Sequence, residues 1–248
     1  MTRFKATAIH FLISVAVVTS IIALMLTLWY PHAYFKLMGG THLIYMIGSV
    51  DVFIGPLLTF VVFKTGKKSL RFDLSVIGML QATAMSYGLY VMFEARPIFT
   101  VFNQNAFYVA SVVDIYPKEL LKGKKEEWRT ASLTGPRLVA IGMSYEYQNK
   151  EDKNLVFALG NTVQTHPVVY DSYANHRLKV IKAGKPLHQL AEISTKNEST
   201  IDAFLQKSNR LMKDFLFLPI YSAVSQMSAI VDAKTGEFIE IIDAKPTK

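Results

Sequence analysis

The stretch "SVDVFIGPLLTFVVFKTGKKSLRF", from Ser49 to Phe72, decides the fold because it joins an apolar run to a cluster of bases. Together with the apolar residues before it, the run is long enough to cross a membrane as a helix, which takes about 20 residues. It nevertheless contains the carboxylate Asp51 and the pair Gly55-Pro56, which bends helices. The stretch therefore predicts a bent membrane helix with an acid inside it.

Two more apolar runs flank this stretch. No formal charge occurs between Lys5 and Lys36, and another apolar run lies between Asp73 and Glu94. We predict an N-terminal three-helix transmembrane bundle over residues 1–93, with spans at about 7–30, 41–63 and 74–93. The first run follows a basic start, as a signal peptide does, but it is long and no small-residue cleavage site follows it, so we expect it to be retained.

The bases are distributed unevenly around the predicted spans. Arg3 and Lys5 precede the first span, and a candidate topogenic loop between the second and third contains Lys64, Lys67, Lys68 and Arg71. Because cytoplasmic loops are enriched in Lys and Arg, the N-terminus and this loop are predicted to be cytoplasmic. Three crossings then export residues 94–248 to the far side of the membrane.

Asp51 is predicted to lie near the middle of the bilayer, about 18 Å from the cytoplasmic face at ~1.5 Å per helical residue. A charge at that depth costs at least ~2.5 to 3.5 kcal/mol, so the carboxyl should be paired, hydrated or protonated. Hydroxyls at a similar depth, on Ser86, Tyr87 and Ser20, are the expected partners, whereas Gln81 lies nearer the level of Pro56.

Three roles remain open for this segment: binding a partner helix, holding the three helices together, and handling a proton. Small residues favour close approach of helices. The candidate intramembrane partner-binding residues are Gly48, Asp51, Gly55, Pro56, Gln81 and Ser86.

The exported part has the pattern of an α+β domain with a mostly antiparallel sheet. Alternating apolar residues predict a hairpin from Ile98 to Val113, and a closing hairpin whose turn contains Gly236. Helical patterns are predicted over Lys118–Trp128, Glu151–Leu159, Asp171–Ile181 and Thr200–Lys213.

The composition argues against several kinds of catalytic or metal site. The chain has no cysteine, which excludes disulfides, thiolate zinc sites and a cysteine nucleophile. It contains neither the H-E-x-x-H motif of zinc proteases nor the G-x-S-x-G motif of serine hydrolases. Its net charge of +8 comes partly from bases that flank apolar runs, which argues against a nucleic-acid-binding stripe. We expect no catalytic residues, no metal and no cofactor.

Six motifs occur along the chain: "KATAIHFLISVAVV", "WYP", "VDVFIGPLLTFVVFKTGKKSLRFDLSVIGMLQ", "YGLYVMFEARPIFTVF", "LTGPRLVA" and "DAKTGEFIEIID". Together they resemble the TfpX/TfpZ family of type IV pilin accessory proteins, and the resemblance is most specific from Val50 to Phe102. In the exported part, the positions that match are Arg96, Pro97, Gly135, Pro136 and Arg137.

The resemblance implies a multi-pass inner-membrane protein with a periplasmic domain and no enzymatic activity. It would assist a cognate major type IV pilin, together with the inner-membrane components of pilus assembly, as a chaperone or as a modulator of assembly and disassembly. A membrane-bound transferase that modifies pilin, and a membrane sensor of pilus dynamics, are the alternatives.

Overall fold

The computed structural model describes residues 2–142 and 160–247. The described chain divides into two compact units. We call the first the helical unit, which holds the residues up to Trp29 together with Gly39–Glu94. The second, the sheet domain, holds Tyr30–Met38 together with the residues from Ala95 onward. The predicted helix at residues 151–159 lies outside the described residues.

The helical unit consists of three long helical segments. The first is α1, Arg3–Leu24, which continues through a π-helical turn at Met25–Trp29. After α2, Tyr34–Leu37, which belongs to the sheet domain, the second segment is α3, Gly40–Ser49, a π-helical turn at Val50–Ile54, and α4, Gly55–Val62. The third is α5, Leu70–Glu94.

The π-helical turn before α4 accommodates the proline predicted to bend this segment. Pro56 has no amide hydrogen and lies in the first turn of α4. The amide of Gly55 donates to the carbonyl of Val50, five residues earlier. Asp51 therefore lies in a helical turn that contains one extra residue. Such turns are often found at functional sites.

The helical segments pack in alternating directions. Phe4, at the start of α1, contacts Phe60, near the end of α4, edge to face at 5.3 Å between ring centroids. Trp29 and Phe93, at the C-terminal ends of the first and third segments, make a similar contact at 5.1 Å. The first and third segments thus run in the same direction, with the second antiparallel to both.

Among the described residues, two helices are long and apolar enough to cross a membrane, Arg3–Trp29 and Leu70–Glu94. Within their most apolar stretches, 11% and 17% of the residues are buried in the protein. These apolar surfaces therefore face outward, unlike those of a helix in the core of a soluble protein. The three-helix membrane bundle stays a prediction.

The sheet domain is built on one mixed sheet, and its mostly antiparallel pairing confirms that part of the prediction. The described strands are Pro97–Asn103, Ala106–Ser111, Arg137–Ile141, Tyr170–Ser172, Lys185–Pro186, Phe215–Tyr221, Gln226–Asp232 and Phe238–Ile242, numbered β1 to β8. Their order in the sheet is β4-β3-β1-β2-β6-β7-β8, with β5 paired to β6, and only the β1–β3 and β2–β6 pairs are parallel among them.

The closing hairpin, β7 and β8, follows the predicted turn chemistry. Gly236 adopts φ +66°, and its amide donates to the carbonyl of Asp232 at 2.9 Å. The carboxylate of Asp232 accepts from the amides of Lys234 and Thr235. A left-handed residue at this position favours glycine, so the local sequence specifies the turn.

In the part of the sheet domain that the structure describes, four helices flank the sheet: α6, Pro117–Leu120; α7, Arg177–Ala183; α8, Leu187–Ala191; and α9, Thr195–Ser208. The helix predicted over Lys118–Trp128 was wrong, because α6 ends early and only a short 3₁₀ turn follows at Glu126–Arg129. At Gly123 a Cβ atom would lie 2.9 Å from the carbonyl carbon of Trp128, so the chain folds back there too closely for a continuous helix.

The segment Tyr30–Met38, between α1 and α3, is part of the sheet domain's core. Leu37 is fully buried, and its carbonyl accepts hydrogen bonds from the hydroxyls of Ser222 at 2.6 Å and Ser225 at 2.8 Å. The Tyr34 hydroxyl lies 2.6 Å from that of Thr100. The residues that follow the first helical segment and those that follow the third therefore belong to one folded domain.

Candidate functional site

A chain of polar side chains connects the three segments of the helical unit. Thr59 Oγ1 lies 2.6 Å from Nδ1 of His10, whose Nε2 lies 2.9 Å from Oε1 of Gln81. Gln81 Nε2 donates to both the carbonyl oxygen and Oδ1 of Asp51, at 3.2 Å each. We call these four residues the polar chain. It runs from α4 through α1 and α5 to the π-helical turn.

The donors of the polar chain point toward Asp51. Because the amide nitrogen of Gln81 donates to Asp51, its oxygen must accept from His10. A neutral imidazole protonated at Nε2 then accepts at Nδ1 from the hydroxyl of Thr59. In this arrangement each hydrogen bond has one donor and one acceptor, and Asp51 is the final acceptor.

Gly55 makes room for the Gln81 amide. A Cβ atom at position 55 would collide with Nε2 of Gln81 and would lie 2.6 Å from its Cδ. Any larger residue there would displace the amide from Asp51. The absence of a side chain on Gly55 thus allows the contact between α5 and the π-helical turn.

A cavity of about 390 Å³ lies beside Asp51 within the helical unit. Asp51 is 4% exposed, and among the described residues nothing hydrogen-bonds its Oδ2. Apolar side chains form much of the cavity wall. The lining residues are His10, Ile13, Ser14, Val17, Val18, Asp51, Gly78, Gln81, Ala82, Met85 and Ser86.

The structure brings together most of the predicted intramembrane residues but changes the partner of Asp51. That partner is Gln81, not a hydroxyl: Ser20 donates to the carbonyl of Ala16, and Tyr87 is 70% exposed. Ser86 lines the cavity. Gln81 packs against Gly55, next to Pro56, as its predicted depth implies, and its amide reaches back to Asp51.

Gly48 and Pro56 have packing roles near the site. A Cβ atom at Gly48 would lie 3.9 Å from Cγ1 of Val18, an ordinary contact between α3 and α1. Pro56 is buried at the start of α4. Both positions lie where the helices meet, and neither supplies a polar group to the cavity.

The predicted topogenic bases are exposed. Lys67 forms an ion pair with Asp73 at 2.7 Å, across the turn into α5. Lys64, Lys68 and Arg71 are also exposed on this loop or at the start of α5.

The predicted motif residues of the sheet domain stabilise its loops. Arg96 is 4% exposed, and its Nε donates to the carbonyl of Ser132 at 3.0 Å. Arg137, the first residue of β3, donates to the carbonyl of Thr130. Gly135 has φ +83°, and a Cβ atom there would lie 2.7 Å from Cγ of Pro31. Pro97 begins β1, and Pro136 precedes β3.

Sequence reasoning missed two members of the polar chain, His10 and Thr59. In the uncharged run between Lys5 and Lys36, His10 is a titratable side chain within the apolar part, whereas Tyr30, His32 and Tyr34 lie near its end. A histidine within an apolar span is itself a signal of function. That signal predicts a polar partner on a neighbouring helix.

Within residues 2–142 and 160–247, no group of three or more His, Asp or Glu side chains is arranged to hold a metal ion. In the sheet domain, Asp171 Oδ2 lies 3.0 Å from Nε2 of His176, which is buried. Asn175 and the Ser172 amide also donate to Asp171. This cluster has the arrangement of a turn that precedes α7.

Comparison with known proteins identifies several relatives. The family described as "Fimbrial assembly protein FimB" matches residues 1–39. The serogroup E1 fimbrial assembly protein of Dichelobacter nodosus is 33% identical over 222 residues, which cover 88% of this chain and 86% of that protein. The serogroup I protein of the same organism is 32% identical over 222 residues, with the same coverage. The protein of serogroups C1 and C2 is 38% identical over 118 residues, 47% of this chain and 90% of that protein. No solved structure matches.

Proposed function

Since the chain belongs to the family of fimbrial assembly proteins, we propose that it is an inner-membrane accessory protein of type IV fimbrial biogenesis, of the TfpX/TfpZ kind, that acts on a cognate pilin. The similarity over 222 residues carries this proposal. The protein acts as a chaperone or modulator: its helical unit holds the apolar helix of the pilin, and its sheet domain contacts the pilin's head.

The connections between the two units support three membrane crossings. Residues Tyr30–Met38 follow the first helical segment, and Ala95 follows the third, yet both belong to one folded domain. They must therefore lie on the same side of a membrane, as three alternating crossings require. The bases of the loop from Lys64 to Arg71 then put that loop in the cytoplasm and the sheet domain in the periplasm.

The cavity beside Asp51 supports a binding role for the helical unit. Its rim contains the exposed side chains of Ile13, Val17, Ala82 and Ser86, so the cavity is accessible from the side of the helices. A buried carboxylate oxygen without a partner costs free energy unless a ligand supplies a donor. Use of Asp51 solely to hold the helices together would not require this accessible cavity.

We propose a non-enzymatic role for the chain. A pilin-modifying transferase would need a set of groups that positions a donor substrate, and a change in pilin mass on gene deletion would favour it. A sensor would respond through Asp51. This alternative would be favoured if Asp51→Asn changed pilus dynamics while the protein level stayed normal and pilin capture was undiminished.

Photocrosslinking in cells tests the proposal. A photoreactive amino acid at Ala82 or Ser86, both on the cavity, should capture pilin, which mass spectrometry of the adduct would identify. Leu80 is the matched control, because it is 63% exposed on the same helix and does not line the cavity. Failure of positions 82 and 86, and of exposed positions on the sheet domain, to capture pilin would contradict the proposal.

A further inference from the structure

A stripe of small residues runs along α5 beside the cavity. Gly78, Ala82 and Ser86 are spaced four residues apart, so they lie on one face of the helix, and all three line the cavity. Ser14 supplies another small side chain from α1. Small residues at this spacing allow the backbone of another helix to approach closely. The shape of this groove therefore suits a helix.

The floor of the groove carries an independent chemical signal. Asp51 is buried, lines the cavity, and has one carboxylate oxygen, Oδ2, that nothing in the described chain hydrogen-bonds. The polar chain occupies Oδ1 and supplies only donors to Asp51. An ionised carboxylate would thus be satisfied by a cationic donor that enters from the cavity.

We propose that the groove between α1 and α5 binds the positively charged amino terminus of an apolar helix, whose ammonium group donates to Asp51 Oδ2. This rests on the proposed function and names the group that the helical unit recognises. The first turn of a helix presents free backbone amides beside its terminal ammonium, and both carry positive charge toward the carboxylate.

A lysine side chain is the other source of an ammonium group, and the groove disfavours it. A lysine places its charge at the end of a long stem, which holds the partner's backbone away from Asp51. The small residues of α5 instead allow the backbone itself to come close. The amino terminus of the helix fits both the shape and the charge.

Peptide binding to the full chain in detergent micelles tests this inference. The probes are three fluorescent poly-Leu/Ala helices: one with a free amino terminus, one acetylated, and one acetylated with a central lysine. We expect the free-amino peptide to bind roughly tenfold or more tightly than both acetylated peptides, because its ammonium group adds a charged hydrogen bond to Asp51. In Asp51→Asn, which keeps the acceptor for Gln81, this preference should disappear.

Two controls make the outcome decisive. Ala82→Leu should weaken binding of the free-amino peptide by filling the groove, whereas Thr83→Leu, on the exposed side of the same helix, should not. Equal affinity of the wild type for the free-amino and acetylated peptides would overturn the inference without any variant. So would a lysine peptide that matches the free-amino one, or a preference that survives in Asp51→Asn.

The two proposals fail in distinguishable ways. Capture of pilin at Ala82 and Ser86 without any preference for a free amino terminus would leave the accessory function intact and remove the recognition mode. A clear preference for the free amino terminus without capture of pilin would keep the groove's chemistry and contradict pilin as its occupant.

Discussion

The side-chain amide of Gln81 donates to both Oδ1 and the carbonyl oxygen of Asp51, at 3.2 Å each, and so joins α5 to the π-helical turn. The same amide packs against Gly55. The position of the Gln81 amide therefore depends on the π-helical turn before Pro56 and on the absence of a side chain at Gly55. The predictions for the helical unit follow from this dependence.

Gly55→Ala should destabilise the helical unit by about 1 to 3 kcal/mol, the usual cost of overpacking a tight contact. The new methyl group would displace the Gln81 amide and break its hydrogen bonds with Asp51. Thermal unfolding of the purified protein in detergent, followed by circular dichroism, measures the change.

Gly78→Ala is the matched control for this substitution. No atom lies within 4 Å of a Cβ built at Gly78, which is inside α5. Alanine should therefore raise stability there by up to about 1 kcal/mol through its higher helix propensity. Changes of the same sign in both variants would contradict the assigned role of Gly55.

Leu37→Ala should destabilise the sheet domain by about 2 to 5 kcal/mol, as expected for a leucine removed from a well-packed core. Leu37 is fully buried among residues that include Phe107, Leu218 and Ile220. Urea unfolding of the full chain, followed by the fluorescence of the buried Trp128, measures the loss. Leu133→Ala, at a site that is 57% exposed, should change stability by no more than about 0.5 kcal/mol.

Asp232→Asn should reduce stability most at neutral pH. Burial raises the pKa of Asp232, but hydrogen bonds from Arg210, Thr235 and Lys234 outweigh it and hold the pKa well below its usual value. Because the folded-state pKa is lowered, the carboxylate's contribution is present above the unfolded-state pKa of about 3.9 and is lost as pH falls through the folded-state value.

Urea unfolding between pH 7 and pH 3 checks this prediction. The stability difference between the wild type and Asp232→Asn should shrink as pH falls below about 4. Asp202→Asn, on the exposed face of α9, is the matched control. A difference that stays constant over the whole range would mean that Asp232 contributes through shape rather than charge.

Local sequence was enough to predict the parts of the fold that depend on local chemistry. The turn at Gly236 and the hairpin of β1 and β2 follow from alternation and turn residues. The helix predicted over Thr200–Lys213 lies earlier, at Thr195–Ser208, because its cap is Ser194 and its left-handed end is Asn209. The parallel pairs β1–β3 and β2–β6 were not predicted, because residues distant along the chain determine them.

The candidate site shows the same division between local and distant information. Asp51 and Pro56 mark the bend by their chemistry alone, whereas the pairing of Asp51 with Gln81 depends on how three helices align. The burial of Leu37 depends on Ser222 and Ser225, far along the chain. A sequence rule based on charge and length assigns the segment around Leu37 to a connecting loop and cannot detect its place in the core.

Single-cysteine labelling should establish the proposed orientation, and the chain is suited to it because it has no native cysteine. Val224→Cys introduces a thiol at a site of the sheet domain that is 66% exposed, and Ser69→Cys introduces one in the exposed loop before α5. In cells with a permeabilised outer membrane, an impermeant maleimide should label position 224 at once and position 69 only after lysis.

Labelling of position 69 in unlysed cells, with position 224 protected, would reverse the orientation. Immediate labelling of both positions would contradict three crossings, because the sheet domain and the basic loop would then share one side of the membrane.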